Sequence, residues 1–237
     1  MKPLLVLHRW FVVVLGLLAL AGPARADPGY YLVTPYSQPG QLALDLRYWT
    51  VKAPREPATL WPELGLRWGV NSRWTSGLFA SFVGDGLHRQ KLSSWNWQNE
   101  ILLTQGQYPF DLALHVQLIR NHGEDNALEW GPVFQTEWGL TQLNANLFFE
   151  RRWSAGRRTQ LKYQWQALHR LRPGWRLGVQ GFGELGPWEH WSDRQSHRTG
   201  PTLRVALPTA DLQLAYLWGK TYRRHGDMFS AQLLWAF

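Results

Sequence analysis

Charged and amide side chains recur at alternate positions along many segments of this 237-residue sequence. In one such segment, Asp111, His115 and Gln117 alternate with Leu112 and Leu114. Successive side chains of a β-strand point to opposite faces, so these polar residues would share one surface. Such a surface could contact a passing solute, or it could form a satisfied polar core. Its charged members are predicted to be Asp45, Arg47, Glu63, Arg67, Glu100, His115, Glu129, Glu150, Lys162, Arg176, Glu184 and Arg204.

Nucleophilic catalysis needs a nucleophile and a base within reach of each other. Ser196 and His197 are adjacent in the sequence, so in a strand they would point to opposite faces. Asp85 and His88 fall in a predicted loop, where histidines are usually plain surface residues. The sequence therefore predicts no catalytic residue, although a barrel-embedded enzyme acting on lipid or lipopolysaccharide stays open as an alternative.

Metal and thiol chemistry also find little support. The chain has no cysteine, which excludes disulfides and thiolate ligands, and its histidines lack tight ligand spacing. Its methionines are Met1 and Met228, too few for a Met-rich copper site. We expect no metal and no cofactor.

Amphipathic runs with a period of two residues must position the polar surface. Most are ten or eleven residues long, which suits a tilted membrane-spanning strand of about 9–11 residues better than a soluble strand of about 5–6. Ten or fourteen strands remain possible if a run has been split or merged. The predicted strands are 41–52, 60–70, 74–83, 95–105, 110–120, 126–136, 142–152, 158–168, 175–184, 197–207, 211–219 and 228–237.

The last strand has the pattern of an assembly signal. Phe229, Leu233, Trp235 and Phe237 share one face, and the chain ends on the aromatic ring. An amphipathic strand at a chain end needs a partner for its edge, and a closed barrel supplies one. This ending resembles the C-terminal signal strand of bacterial outer-membrane β-barrels, which implies the barrel-assembly machinery as a partner.

The N-terminal residues resemble a secretory signal peptide. Lys2 precedes an apolar run of eleven residues from Trp10 to Leu20, and a small-x-small site ends at Ala26. This run is too short for a membrane anchor. We therefore predict a signal peptide over 1–26, cleaved after Ala26, an irregular periplasmic lead-in over 27–40, and an outer-membrane barrel over 41–237.

The composition fits a barrel better than other classes. The mean hydropathy is −0.34 and the formal net charge is +8, with basic residues scattered evenly, so nucleic acid is not an expected partner. The soluble alternative is a secreted β-sandwich. The 16 tryptophans suggest aromatic girdles at the two membrane boundaries, with carbohydrate stacking as the alternative. The girdle candidates are Trp49, Trp74, Trp95, Trp130, Trp153, Trp175, Trp218 and Trp235.

Four segments of the second half, LNANLFFER (143–151), GFGELG (181–186), HRTGPT (197–202) and LAYLWG (214–219), carry a more specific resemblance. They are similar to segments of an outer-membrane barrel family that is named after the meta pathway of phenol degradation and often labelled "transporter". The resemblance covers roughly residues 131–237 and is weaker before them. It implies an outer-membrane barrel, with transport of small, aromatic or hydrophobic compounds by association, and it brings no catalytic residues.

Together these features predict an all-β protein, a transmembrane antiparallel up-and-down β-barrel of about twelve strands, integral to the bacterial outer membrane. The expected function is a passive conduit or binding channel for small molecules. A structural barrel with a plugged lumen is a further alternative. The expected partners are outer-membrane lipid and lipopolysaccharide, the latter through arginines in the outer loops such as Arg151, Arg152, Arg157 and Arg158.

Overall fold

The computed structural model describes residues 30–55, 57–154, 156, 158–190, 195–221 and 224–237. The predicted signal peptide and its cleavage site lie outside these residues. One short 3-10 turn, Leu87–Arg89, precedes the fourth strand. The strands are β1 Leu42–Val51, β2 Thr59–Gly69, β3 Trp74–Val83, β4 Lys91–Leu102, β5 Phe110–Asn121, β6 Ala127–Trp138, β7 Thr141–Arg152, β8 Gln160–Arg172, β9 Trp175–Pro187, β10 Ser196–Ala206, β11 Ala210–Thr221 and β12 Arg224–Ala236.

The twelve strands close on themselves as an up-and-down barrel. Each strand pairs antiparallel with the next, and β1 pairs with β12 from Ala43 opposite Ala236 to Trp49 opposite Ser230. Closure gives every spanning strand two neighbours, so no backbone edge is left without hydrogen bonds. The predicted all-β barrel fold and its strand number are confirmed. No helix in the described part of the chain has the length and hydropathy of a membrane span.

Apolar side chains point outward from the barrel. On β2, Leu64, Leu66 and Trp68 are exposed. Glu63, which precedes them in the strand, is buried inside the barrel. A wide band of exposed leucine, valine and tryptophan side chains is unfavourable in water and favourable in hydrocarbon. The start of β1 and the end of β12 lie together at one opening, called here the inner mouth, which faces the periplasm in barrels of this kind.

The structure changes several predicted details. β4 begins at Lys91 and β12 at Arg224, each four residues earlier than expected, because strand pairing continues into outer hairpins where no lipid enforces the alternation. In β3, the pairing with β4 shifts register at a bulge between Ser81 and Phe82, which interrupts the alternation of side chains. Trp49 is not a girdle residue, since its side chain is buried inside the barrel.

The ring of Phe79 fills the lumen side of β2 and β3. It is buried, and it lies over Gly65, where an added Cβ would come within 2.0 Å of Phe79 Cδ1. The ring also supports the guanidinium of Arg47, whose Cζ lies 3.9 Å from the ring centroid. Gly65 is therefore required for the close approach of this ring to the wall.

Replacing Gly65 with alanine is expected to destabilise the barrel by about 1–3 kcal/mol, because Phe79 must leave its position. Urea unfolding in lipid vesicles measures this difference. The matched control is Gly86→Ala in an outer loop, where no heavy atom lies within 4 Å of an added Cβ. The double variant Gly65→Ala, Phe79→Leu should recover part of the loss. Equal stability of the two alanine variants would contradict this packing.

Candidate functional site

The predicted lumen residues divide into two groups by burial. Asp45, Arg47, Glu63, Glu100, His115, Glu129 and Lys162 are buried inside the barrel. Arg67, Glu150, Arg176, Glu184 and Arg204 are partly exposed. All belong to the stripe of each strand that faces away from the exposed apolar side chains.

Arg47 is the centre of the first ion-pair cluster. Its guanidinium contacts Asp45 Oδ2 at 2.8 Å and Glu63 Oε1 at 2.7 Å. Ser81 donates a further hydrogen bond to Glu63. Arg67, two inward positions after Glu63 on β2, lies 3.7 Å from Asp45 and 4.0 Å from Glu100. These contacts satisfy two buried carboxylates and lead towards β4.

His115 begins the second cluster. Its Nδ1 lies 3.4 Å from Glu100 Oε1, and its Nε2 lies 3.3 Å from Glu129 Oε1. Lys162 then contacts Glu129 Oε2 at 2.9 Å and also pairs with Glu150. Apart from His115, whose charge depends on protonation, charges alternate in sign along both clusters, which together form an ion-pair belt along the lumen face of β1, β2 and β4–β8. The belt consists of Asp45, Arg47, Glu63, Arg67, Glu100, His115, Glu129, Lys162 and Glu150.

Three predicted residues lie apart from the belt. Arg176 pairs with Glu137 at 2.6 Å, and Arg204 pairs with Asp211 at 2.6 Å, both near the inner mouth. Glu184 accepts a hydrogen bond of 2.9 Å from the Tyr30 hydroxyl, in the outer half of the lumen. The structure therefore does not join these three residues into one site.

The N-terminal residues 30–38 occupy the lumen, and we call them the plug. They enter at the inner mouth, where Gly40 N donates to Gly69 O at 2.7 Å, and reach the outer half at Tyr30. Tyr30, Tyr31, Leu32 and Val33 are buried. The expectation of a periplasmic position is therefore wrong for these residues. The irregular backbone of this segment agrees with the prediction. The apolar side chains of Tyr30–Val33, however, pack inside the barrel.

Polar contacts hold the plug backbone against the wall. Val33 N donates to Gln164 Oε1 at 3.2 Å, and Asn146 Nδ2 donates to Val33 O at 2.9 Å. In the outer half, Ser230 Oγ donates to Tyr30 O at 3.0 Å. The buried backbone groups of an irregular segment need such partners, and the amide side chains of the lumen supply them.

Two arginines of the wall stack on the plug tyrosines. Arg47 Cζ lies 3.5 Å from the centroid of the Tyr31 ring, and Arg198 Cζ lies 4.6 Å from that of Tyr30. Trp49 contacts Tyr30 edge-on, with ring centroids 6.4 Å apart. Cation–π contacts of this kind are strongest where water is excluded. Arg198 was not among the predicted lumen residues, although its position on β10 has the parity of Arg204.

The lumen stays open at its inner end. Tyr36 donates a hydrogen bond to Asp111 at 3.1 Å there, and burial together with this bond raises the pKa of Tyr36 to about 12. Beside it, a cavity of about 380 Å³ separates the plug from β1, β2, β10, β11 and β12. Arg67, Arg204 and Asp211 line this inner vestibule. The plug thus fills the lumen from its middle to Tyr30, and the lumen is open towards the inner mouth.

Ser196 and His197, which are adjacent in the sequence, do not form a nucleophile–base pair. Ser196 Oγ donates to Lys220 O, whereas His197 Nδ1 lies 2.8 Å from the Tyr163 hydroxyl. The burial pattern alternates here, so Ser196 and His197 point to opposite faces. Among the residues that the structure describes, no group of three or more His, Asp or Glu side chains could hold a metal ion.

No protein-family model and no curated protein sequence matches this chain. Solved structures do match. The COG4313 outer membrane channel from Pseudomonas putida F1 superimposes with a TM-score of 0.62 at 12% identity, over 90% of this chain and 100% of that one. The NanC porin superimposes with a TM-score of 0.59 at 8% identity, over 81% of this chain and 98% of that one.

These likenesses show the fold. This chain has the barrel fold of solved outer-membrane channels, as the alternation of its sequence indicated. The exposed apolar band agrees with that architecture, because an outer-membrane barrel turns such a band towards lipid.

Proposed function

We propose that this protein is an integral outer-membrane conduit for small molecules, closed at rest by the plug. The proposal rests on one observation, which is that the plug, and not the side chains of the wall alone, fills the lumen. A barrel of about eight strands is filled by its own side chains, whereas sixteen to eighteen strands leave an open channel. Here twelve strands are filled by a segment that enters from one mouth and is held by hydrogen bonds. Water can replace such bonds, so the segment can leave without disrupting the wall.

Solute flux tests the proposal. Liposomes that contain the purified barrel should admit small solutes faster than liposomes without protein, in brief events that can be seen in planar bilayers. The conduit would be overturned if the barrel gave no solute flux and no current at any applied voltage. Mass spectrometry of lipids from producing cells tests the alternative, since a lipid-modifying barrel would change the lipid profile.

The solute class follows only from the family resemblance and from the vestibule. The phenol-pathway family suggests small aromatic compounds. The inner vestibule, with about 380 Å³, is large enough for a single aromatic ring, and the exposed ring of Tyr36 offers a surface for stacking. Swelling rates for an aromatic acid and for a sugar of similar size would separate the two classes. Equal rates would remove the aromatic preference.

We also propose that β12 is the segment read by the barrel-assembly machinery. Phe229, Trp235 and Phe237 are exposed on the outer face, and Phe237 N donates to Leu42 O at 3.0 Å where β12 meets β1. Deleting Phe237 is expected to reduce the amount of folded barrel in the outer membrane severalfold, judged by heat-modifiable migration on gels. The control deletion of Leu87 in an outer loop should leave assembly unchanged. Equal yields for both would argue against the signal.

The outer loops support the proposal of lipopolysaccharide contact in part. Arg151 and Arg158 are exposed near the outer end of β7 and β8, whereas Arg152 is paired with Glu124 at 2.8 Å. Arg157 lies outside the described residues. Arginine pairs well with phosphate groups. The double variant Arg151→Glu, Arg158→Glu should lose stability in lipopolysaccharide bilayers and keep it in phospholipid bilayers; no difference between the two would count against contact.

A further inference from the structure

His115 lies fully buried between two carboxylates on neighbouring strands. Glu100 on β4 faces Nδ1 at 3.4 Å, and Glu129 on β6 faces Nε2 at 3.3 Å. A neutral imidazole has one N–H donor and one acceptor nitrogen, whereas an imidazolium has two donors. A neutral ring would therefore turn a lone pair towards one of the two carboxylates. Neither ring nitrogen has a well-aligned hydrogen bond to these carboxylates, so the two contacts are ion pairs only when His115 is protonated.

The other groups around His115 carry fixed charges or none. Arg67 on β2 lies 4.0 Å from Glu100, and Lys162 on β8 lies 2.9 Å from Glu129 and also pairs with Glu150 on β7. The ring of Phe148 on β7 packs against the imidazole with centroids 4.6 Å apart. His115 is thus the member of the belt whose side chain, when unperturbed, titrates nearest to neutral pH.

The carboxylate of Glu100 is also linked to the plug. Gln98 and Gln117 face each other across β4 and β5, next to the facing pair Glu100 and His115. The Tyr31 hydroxyl of the plug lies 3.1 Å from Oε1 of both glutamines. Gln98 in turn donates to Glu100. A change of charge at His115 therefore reaches the hydrogen bonds of Tyr31 through two intervening side chains, Glu100 and Gln98.

We propose that the proton on His115 holds the plug in place. With His115 protonated, the belt is continuous and its carboxylates keep Gln98 oriented towards Tyr31. When alkaline surroundings remove this proton, Glu100 and Glu129 lose the cation between them and repel each other. The glutamines then reorient, and the plug is released. The barrel thus binds its plug tightly at lower pH and loosely at higher pH.

Thiol labelling tests the proposal without any need for transport. The chain has no cysteine, so Val33→Cys places a single thiol on the buried plug. Its labelling rate is measured across pH in the His115 barrel and in the His115→Gln barrel. The ratio of the two rates cancels the ionisation of the thiol itself. We expect the His115→Gln barrel to label about tenfold faster at low pH, from the loss of a charge-assisted contact, and at the same rate at high pH.

Controls make each outcome decisive. His88→Gln in an exposed outer loop should give a ratio of one at every pH. If His115→Gln fails to fold, the labelling rate of Val33→Cys in the His115 barrel is divided by the labelling rate of the exposed Leu87→Cys. This quotient should rise with pH. A ratio or quotient independent of pH overturns the proposal. So does a nitrogen NMR spectrum that shows His115 as neutral at about pH 6. Absence of solute flux would overturn the conduit alone, because the labelling reports only on the plug.

Discussion

Deletion of residues 30–38 is expected to turn the closed barrel into an open channel. The wall strands pair with one another along their length and do not use the plug for their backbone hydrogen bonds. Without Tyr30, Tyr31 and Val33, the middle of the lumen would fill with water. We expect the mean current in planar bilayers to rise on the order of tenfold, because twelve strands enclose more space than their own side chains fill.

A control for this deletion is the replacement of the outer turn Leu87–Arg89 by Gly-Ser-Gly. That turn has no buried residue, so the current of this variant should equal that of the full chain. Far-ultraviolet circular dichroism and heat-modifiable migration would show that both barrels are folded. A folded deletion variant with unchanged current would mean that wall side chains alone close the lumen.

The second large effect is expected from Arg47→Met. Arg47 neutralises Asp45 and Glu63, which are both buried, and it stacks on Tyr31 and Phe79. Removing one member of a buried ionic cluster leaves charges without partners, at a cost of about 3–5 kcal/mol in the free energy of unfolding. Urea titration in lipid vesicles, followed by tryptophan fluorescence, measures it. The plug should also loosen, because Tyr31 loses its stacked guanidinium.

Arg89→Met is the matched control. Arg89 pairs with Asp85 at 3.2 Å, but both side chains are mostly exposed. Exposed pairs of this kind contribute less than about 1 kcal/mol. If the two methionine variants unfolded at the same urea concentration, the belt would contribute no more than a surface ion pair.

Much of the wall could be predicted from the sequence because lipid imposes a strict rule on it. In β5, Leu112, Leu114 and Leu118 alternate with polar residues, and the observed strand differs from the prediction by one residue. Where lipid no longer acts, the rule weakens. The outer parts of β4 and β12 were missed for this reason.

The plug could not be predicted, because its contacts have no period. Tyr31 meets Gln98 and Gln117, which are 67 and 86 residues away. Trp49 shows a different kind of error. Trp49 lies on the same face of β1 as Asp45 and Arg47, which predicts an inward side chain. Its being a tryptophan near a strand end suggested the membrane boundary instead. Inside the barrel the indole packs on Tyr30, so the need to cover the plug decided its position.

A reversible cross-link gives the most direct test of a plug that closes the lumen. Asn146 Nδ2 donates to Val33 O at 2.9 Å, so Val33→Cys and Asn146→Cys should be close enough to be joined through disulfides by a short, reducible bis-methanethiosulfonate linker in the folded barrel. We predict that current and solute flux vanish while the cross-link is intact and return after reduction. Failure of the two cysteines to bridge, or equal currents before and after reduction, would contradict a plug seated in the lumen as the closing element.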